Sequence, residues 1–269
     1  MSKWLSKYYS VLKVTWIQTL EYKANAVVGL FAILSGILIE FMIWDRIFLA
    51  SGKDTINGFS FMGLMSFIFI SLIVGQLKSS WVTSFEMIDL IRTGGLNKYL
   101  IRPISFYTYH IMIFIGVNSL FFIVYFFLLL IFPFIMPGYL FQEIIQIVLF
   151  IPALAASIFI SYSIYFFLVC LAFWFSEVKS IVLSYNLVNI FLAGQIIPLS
   201  FFPDQVRYVI SLTPLSLLVD FPVRIATGMI ESDGIKDGFL MIVMWSVILM
   251  IINKIIYSIG IRRYEGYGA

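Results

Sequence analysis

The chain predicts an all-α membrane protein: six transmembrane helices, an N-terminal amphipathic interfacial helix, and a proline-broken outer re-entrant hairpin between helices 5 and 6. Three observations carry this. Of the 269 residues, 62% are hydrophobic and only 12% are Asp, Glu, Lys or Arg, whereas a soluble domain carries about 25% charged residues. With 28 Phe and 15 Tyr, the apolar excess is more than a buried core absorbs. Second, six windows reach or exceed the ~17–25 residues a helix needs to cross hydrocarbon. None shows the alternation of a barrel strand, so inside lipid they must be helices. Third, the basic residues divide unevenly. With both termini in the cytosol, the inner set is Lys3, Lys7, Lys13, Lys23, Lys78, Arg92, Lys98, Arg102, Lys179, Lys254, Arg262 and Arg263, against Arg46, Lys53, Arg207, Arg224 and Lys236 outside. That excess orients the chain.

Residues 3–22 come first. Leu5, Tyr9, Leu12, Trp16 and Leu20 fall on one helical face, and Lys3, Lys7, Ser10, Gln18 and Glu21 roughly opposite, the pattern of a basic helix lying along inner headgroups. A signal peptide over 1–40 is the weaker reading, because the basic region is long and no small-x-small cleavage site follows. The spans are 24–44, 59–77, 104–132, 143–174, 181–199 and 239–261, within a single domain covering 1–269. Pro152 predicts a kink or an interfacial first turn in the fourth.

Between spans two and three, residues 79–103 form the longest internal cytosolic loop. Its first part, SSWVTSFEMIDLIR, reads as a short helix with Trp81, Phe85 and Ile88 along one stripe and Glu86 and Asp89 beside it. Gly94 and Gly95 end that helix, at positive φ if they follow the usual C-terminal pattern. The plain alternative is a basic anchor held by lipid phosphate. Between spans five and six, residues 198–228 are apolar but cut by Pro198, Pro203, Pro214 and Pro222. The pieces are too short to cross, and the prolines forbid one continuous helix. Short helices that dip in and turn back satisfy both facts if their ends are buried. An ordinary outer loop with surface helices is the alternative. Either way the segment, with Phe201 and Phe202, sits at the outer mouth.

Most single-residue chemistry is excluded. Cys170 is the one cysteine and His110 the one histidine, so neither a disulfide nor a multi-His metal site is available. A net charge of +3 is too small for nucleic-acid binding. Glu40, an ionisable residue in span one, is a functional candidate by default, but lies near the outer end and is expected rather to pair with Arg46 or reach water. His110 reads as an inner-interface residue, and Asn118, Asn186, Asn189 and Gln195 as bonds between helices. No G-x-x-x-x-G-K-[ST] loop exists in the chain, so ATP-driven work would need a separate ATPase.

The stretch AGQIIPLSFFP, followed by SLTPLSLLVDFPVRIATG, resembles the Gly-x-x-x-Pro-Leu-x-x-Phe-Pro and Thr-Pro-Leu/Phe pattern of the ABC-2-type permeases, the transmembrane subunits of ATP-binding-cassette exporters. GGLNKYLIRPIS is similar to a branch of paired six-span permeases linked to drug or xenobiotic export. The resemblance implies export of an apolar or amphipathic compound, with ATP-Mg bound by a partner ATP-binding subunit and no cofactor on this chain. It implies docking of that subunit on residues 79–103, through Trp81, Phe85, Glu86, Ile88, Asp89 and Arg92, with Phe85 or Ile88 in its cleft. It makes Pro198, Phe201, Phe202, Pro203, Pro214 and Pro222 an outer gate. It also implies pairing with a second six-span permease, the same chain or a sister, with Gly29, Gly36, Ala193 and Gly194 as small contact residues. A different class, an ion- or proton-coupled transporter acting alone, needs ionisable groups at mid-depth and broken helices at the bilayer centre. A non-transporting membrane anchor is a third.

Overall fold

The computed structural model describes residues 3–21, 23–101, 104–135 and 137–264; Arg102 and Pro103, closing the expected 79–103 loop, lie outside them. Helix α1 (Lys3–Glu21) leads to α2 (Lys23–Ser51), which ends where Gly52 takes φ +61°. The expected stop at Trp44 is seven residues short, because Asp45 and Arg46 continue the helix. A hairpin of β1 (Thr55–Ile56) and β2 (Phe59–Ser60) follows. Its two-residue turn, Asn57-Gly58, has φ of +48° and +82°, which suits the twist of a tight hairpin. The Ser60 hydroxyl then caps α3 (Phe61–Leu77) by accepting from the Gly63 amide.

The chain continues as α4 (Trp81–Arg92), α5 (Asn97–Leu100), α6 (Phe106–Ile135) and α7 (Ile144–Cys170), the last extended by a 3-10 turn to Phe173. Then come α8 (Val178–Leu192), a 3-10 turn at Leu199–Phe201, α9 (Asp204–Ser211), α10 (Asp220–Ala226) and α11 (Ser232–Arg263). Below, the end of the bundle bearing the start of α1 and the end of α11 is the terminal end; the other is the hairpin end.

Helix α3 is apolar on every side and is therefore the centre of the bundle. Leu64, Ile68, Ile70, Ile73 and Val74 are fully buried, packed by α2, α6 and α10. Small residues let the other helices close in. A Cβ on Gly29 of α2 would strike the Phe121 ring of α6, and Cβ atoms on Gly238 and Gly260 of α11 would strike Phe221 and Phe173. Asn253 adds a bond across that seam, its amide donating to the Ser163 carbonyl at 2.9 Å. Helix α1 lies along α6, with Tyr8 and Thr15 buried, Thr19 Oγ1 donating to the Gly116 carbonyl at 3.3 Å, and Thr15 Cβ where a Gly116 side chain would be. Tyr9 and Leu20, from the face expected to meet headgroups, stay exposed.

Among the described residues, five stretches are long and apolar enough to cross a membrane: Val27–Ser51, Phe61–Arg92, Phe106–Ile135, Ile144–Phe173 and Ser232–Arg263. The expected fifth span, 181–199, is not among them. Helix α8 has 15 residues, about 22 Å at ~1.5 Å per residue, short of a ~30 Å core. The cause is Gly194. Its φ of +78° turns the chain, and Gln195 folds against Gly75 of α3, where the Ser71 hydroxyl donates to the Gln195 carbonyl at 2.7 Å. The space beyond α8 is taken by the proline-broken segment instead. The Asp220 amide donates to the Ala193 carbonyl at 3.0 Å, and the Ser157 hydroxyl of α7 to the Leu218 carbonyl.

Candidate functional site

Two regions gather the expected site residues, one at each end of the bundle. At the terminal end, Lys78–Ser80 break the helix between α3 and α4. The break is held by the Ser161 hydroxyl of α7, which donates to the Lys78 carbonyl at 2.8 Å, while the Ser84 hydroxyl bonds back to Ser80. Helix α4 therefore leaves α3 at a fixed point and packs on α7 and α8. Its inner face is Thr83, Ser84, Met87, Ile88 and Ile91, and its exposed face carries Val82, Glu86, Asp89 and Arg92.

This corrects one expectation and refines three. Ile88 is 1% exposed and packs inside the subunit, so it is not free to fill a partner's cleft. Trp81 and Phe85 meet edge to face at 5.5 Å and are half-buried along one margin. Asp89 is tied to Lys179 at the start of α8, Nζ to Oδ1 2.7 Å, and the same ammonium lies 5.6 Å from the Phe85 ring. Arg92 donates to the Phe175 carbonyl at 3.1 Å. The three groups latch the two loops at this end together. Both partners of the Asp89–Lys179 pair are about half exposed, which limits its worth to ~1 kcal/mol or less. Glu86 has no ion-pair partner among the described residues.

Gly94 has the positive φ expected of a helix end, +79°. Gly95 does not. Space is tight there instead: a Cβ would sit 2.7 Å from the end of the Leu90 side chain, which would have to shift. Lys78, expected among the wetted cytosolic cations, is 2% exposed.

At the hairpin end, the prolines do what the fixed ring predicts. Pro198 precedes the 3-10 turn, Pro203 precedes α9, and Pro222 lies in the first turn of α10, where its missing N–H leaves no gap. The expected gate residues separate. Phe201 packs on Trp44 at 5.2 Å and Phe59 at 5.9 Å, Pro222 is buried within α10, and Pro203 is exposed. Only Pro198 lines the cavity of about 830 Å³ that opens between the α8–α11 connection, the hairpin and α11. Its floor holds Asp220, whose side chain is 9% exposed and 3.9 Å from Arg224.

Sequence reading singled out Glu40 and passed over Asp220. Glu40 accepts from the Trp44 indole at 3.1 Å and forms no ion pair with Arg46. The signal for Asp220 was present: a lone carboxylate in LLVDFPV, an apolar run on both sides. His110 is buried, hydrogen-bonded to the Phe106 carbonyl and ringed by Tyr99, Phe106 and Tyr109. Asn186 bridges helices by accepting from the Tyr165 hydroxyl at 2.7 Å, whereas Asn118 donates within its own helix. Among the expected dimer contacts, Ala193 is fully buried, Gly194 packs against Asp220 and Leu199, and Gly29 against Phe121; all three serve contacts within the subunit. Gly36 faces Leu72 of α3.

A family model described as ABC-2 family transporter protein matches residues 34–268. No curated protein matches the chain.

Proposed function

The chain belongs to the ABC-2 transporter family, a family of multi-pass membrane components distinct from the ATPase subunit, and on that footing we propose that it is the permease half of an ATP-driven exporter. In this reading an apolar or amphipathic compound moves outward across the plasma membrane of a prokaryote, with both termini in the cytosol. A separate subunit binds and hydrolyses ATP-Mg. The observation that carries the reading is α4: a short helix, fixed to α3 by a break, to α7 by packing and to α8 by Asp89–Lys179, with Val82 and Glu86 left open on its far side. A push on such a helix reaches three elements of the bundle at once. An ATPase that docks there would bury Val82 and the Phe85 edge, with Glu86 at a polar rim.

The segment 198–228 is the outer gate in this account, and its depth supports re-entry. Leu218 is bonded to Ser157 of α7, about 20 Å from the start of that helix at the usual ~1.5 Å rise. Pairing with a second permease would use the exposed apolar faces of α2 (Phe31, Leu34, Leu38) and α8 (Leu183, Leu187, Phe191). One observation favours the second reading, ion-coupled transport: Asp220 is an acid buried deep in the bundle. Transport by proteoliposomes with and without the ATP-binding subunit separates the two. Uptake of a lipophilic dye into inverted vesicles should require that subunit and ATP; dye transport driven by a proton gradient in its absence would overturn the ABC reading.

A further inference from the structure

The cavity at the hairpin end is more than a vestibule, because of which polar groups it leaves unmatched. Five ionisable side chains line it: Arg207, Asp220, Arg224, Glu231 and Asp237. Both guanidiniums have other partners, and Arg224 also forms a loose ion pair with Asp220. Arg207 is paired with Asp204, and Arg224 donates through Nε and Nη2 to the Met229 carbonyl at 3.3 and 3.1 Å. Arg224 reaches the Asp220 carboxylate only at 3.9 Å, beyond hydrogen-bond length. Glu231 and Asp237 are exposed at the rim and have no ion-pair partner among the described residues. Three carboxylates against two guanidiniums leave the lining one negative charge in excess.

Two further features point to a ligand. The apolar walls include the rings of Phe59, Phe67 and Phe221, whose faces attract an organic cation. A volume near 830 Å³ falls in the range of small-molecule sites, ~300–1,000 Å³.

We propose that this cavity binds a monovalent organic cation, an ammonium group on an apolar body, with the Asp220 carboxylate facing the charge and the phenyl rings around the apolar part. A free amine and the ammonium of a zwitterionic lipid headgroup share that chemistry.

The site is tested without ATP or any partner, so its failure leaves the permease reading intact. The probe is benzyltrimethylammonium, with benzyl alcohol as the neutral control. The reporter is an environment-sensitive fluorophore on Ser211→Cys, exposed at the rim; Cys170 is fully buried and stays unlabelled. In nanodiscs of phosphatidylglycerol, the wild-type chain should bind the cation saturably and at least tenfold tighter than the alcohol. Asp220→Asn, which keeps an acceptor for the Leu199 amide, should lose about tenfold, and the exposed Asp237→Asn two- to threefold. Arg224→Gln should bind a few-fold tighter, since a competing cation leaves while an amide donor remains for Met229. Replacing half of the phosphatidylglycerol with phosphatidylethanolamine, compared with the same dilution by a neutral glycolipid so that the surface charge is equal, decides the source. A weaker apparent affinity identifies the headgroup as occupant, and an unchanged one identifies the free amine. Equal binding of cation and alcohol, or unchanged cation binding in Asp220→Asn with wild-type melting, overturns the proposal.

Discussion

Ile88 and Val82 lie on opposite sides of α4, six residues apart in sequence and very different in exposure, 1% against 53%. That contrast yields a prediction with two signs. Ile88 packs in one cluster with Met87, Ile91, Tyr165, Phe166 and Cys170. Truncation to Ala removes a fully buried side chain and leaves a cavity, a change that costs ~2–5 kcal/mol. At ~2–4 °C per kcal/mol for a chain of this size, melting should fall by roughly 4–20 °C. Cys170 supplies the assay, because it is fully buried in that same cluster: a fluorogenic thiol dye reacts only as the cluster opens. Below the transition, Ile88→Ala should still capture the ATP-binding subunit at wild-type levels. Val82→Ala should melt within ~0.5 kcal/mol of wild type, as exposed substitutions do. Combined with Glu86→Lys, it should lose most of the captured subunit. If Ile88→Ala melts like wild type while abolishing capture, or if the Val82/Glu86 double variant captures normally, the assignment of faces on α4 is wrong.

Gly194→Ala forces a side chain into a left-handed backbone at φ +78°, with Asp220 and Leu199 at 3.3 Å. The backbone term alone is ~1–2 kcal/mol, so the same dye assay should show melting lowered by several degrees, and unchanged melting would contradict the turn that ends α8. Gly95→Ala should also destabilise, by pushing on Leu90 at 2.7 Å, and Leu90→Ala should restore part of the loss by opening that space. For orientation, single cysteines at Lys53 and Lys236 should react with an impermeant reagent from outside intact cells and one at Lys98 should not; outside labelling at 98 would invert the topology.

Much of this architecture was legible because lipid imposes a simple rule: a backbone with no water must be helical over ~20 residues. The long helices follow from it. What was not legible depended on single residues whose effect is three-dimensional. Gly194 reads as one small residue in an apolar run, yet its backbone turn cuts the expected fifth span short after Leu192. On α4 the stripe Trp81–Phe85–Ile88 reads as the face that meets a partner. Thr83 and Ser84 look polar, but Ser84 satisfies its hydroxyl within its own helix, bonding to Ser80, so this face can turn inward with Met87 and Ile88. Asp89 and Arg92 read as free charges, because their partners, Lys179 and the Phe175 carbonyl, lie more than eighty residues away in sequence.

The claim at the centre of this account is that the exposed face of α4 meets an ATP-binding subunit. A photo-crosslinking amino acid placed at Glu86, in membranes and in the presence of the native partners, tests it directly. The account predicts a single adduct that is retained on an ATP matrix, absent when the same group is placed at the buried Ile88. No adduct from position 86, or equal adducts from both positions, would contradict it.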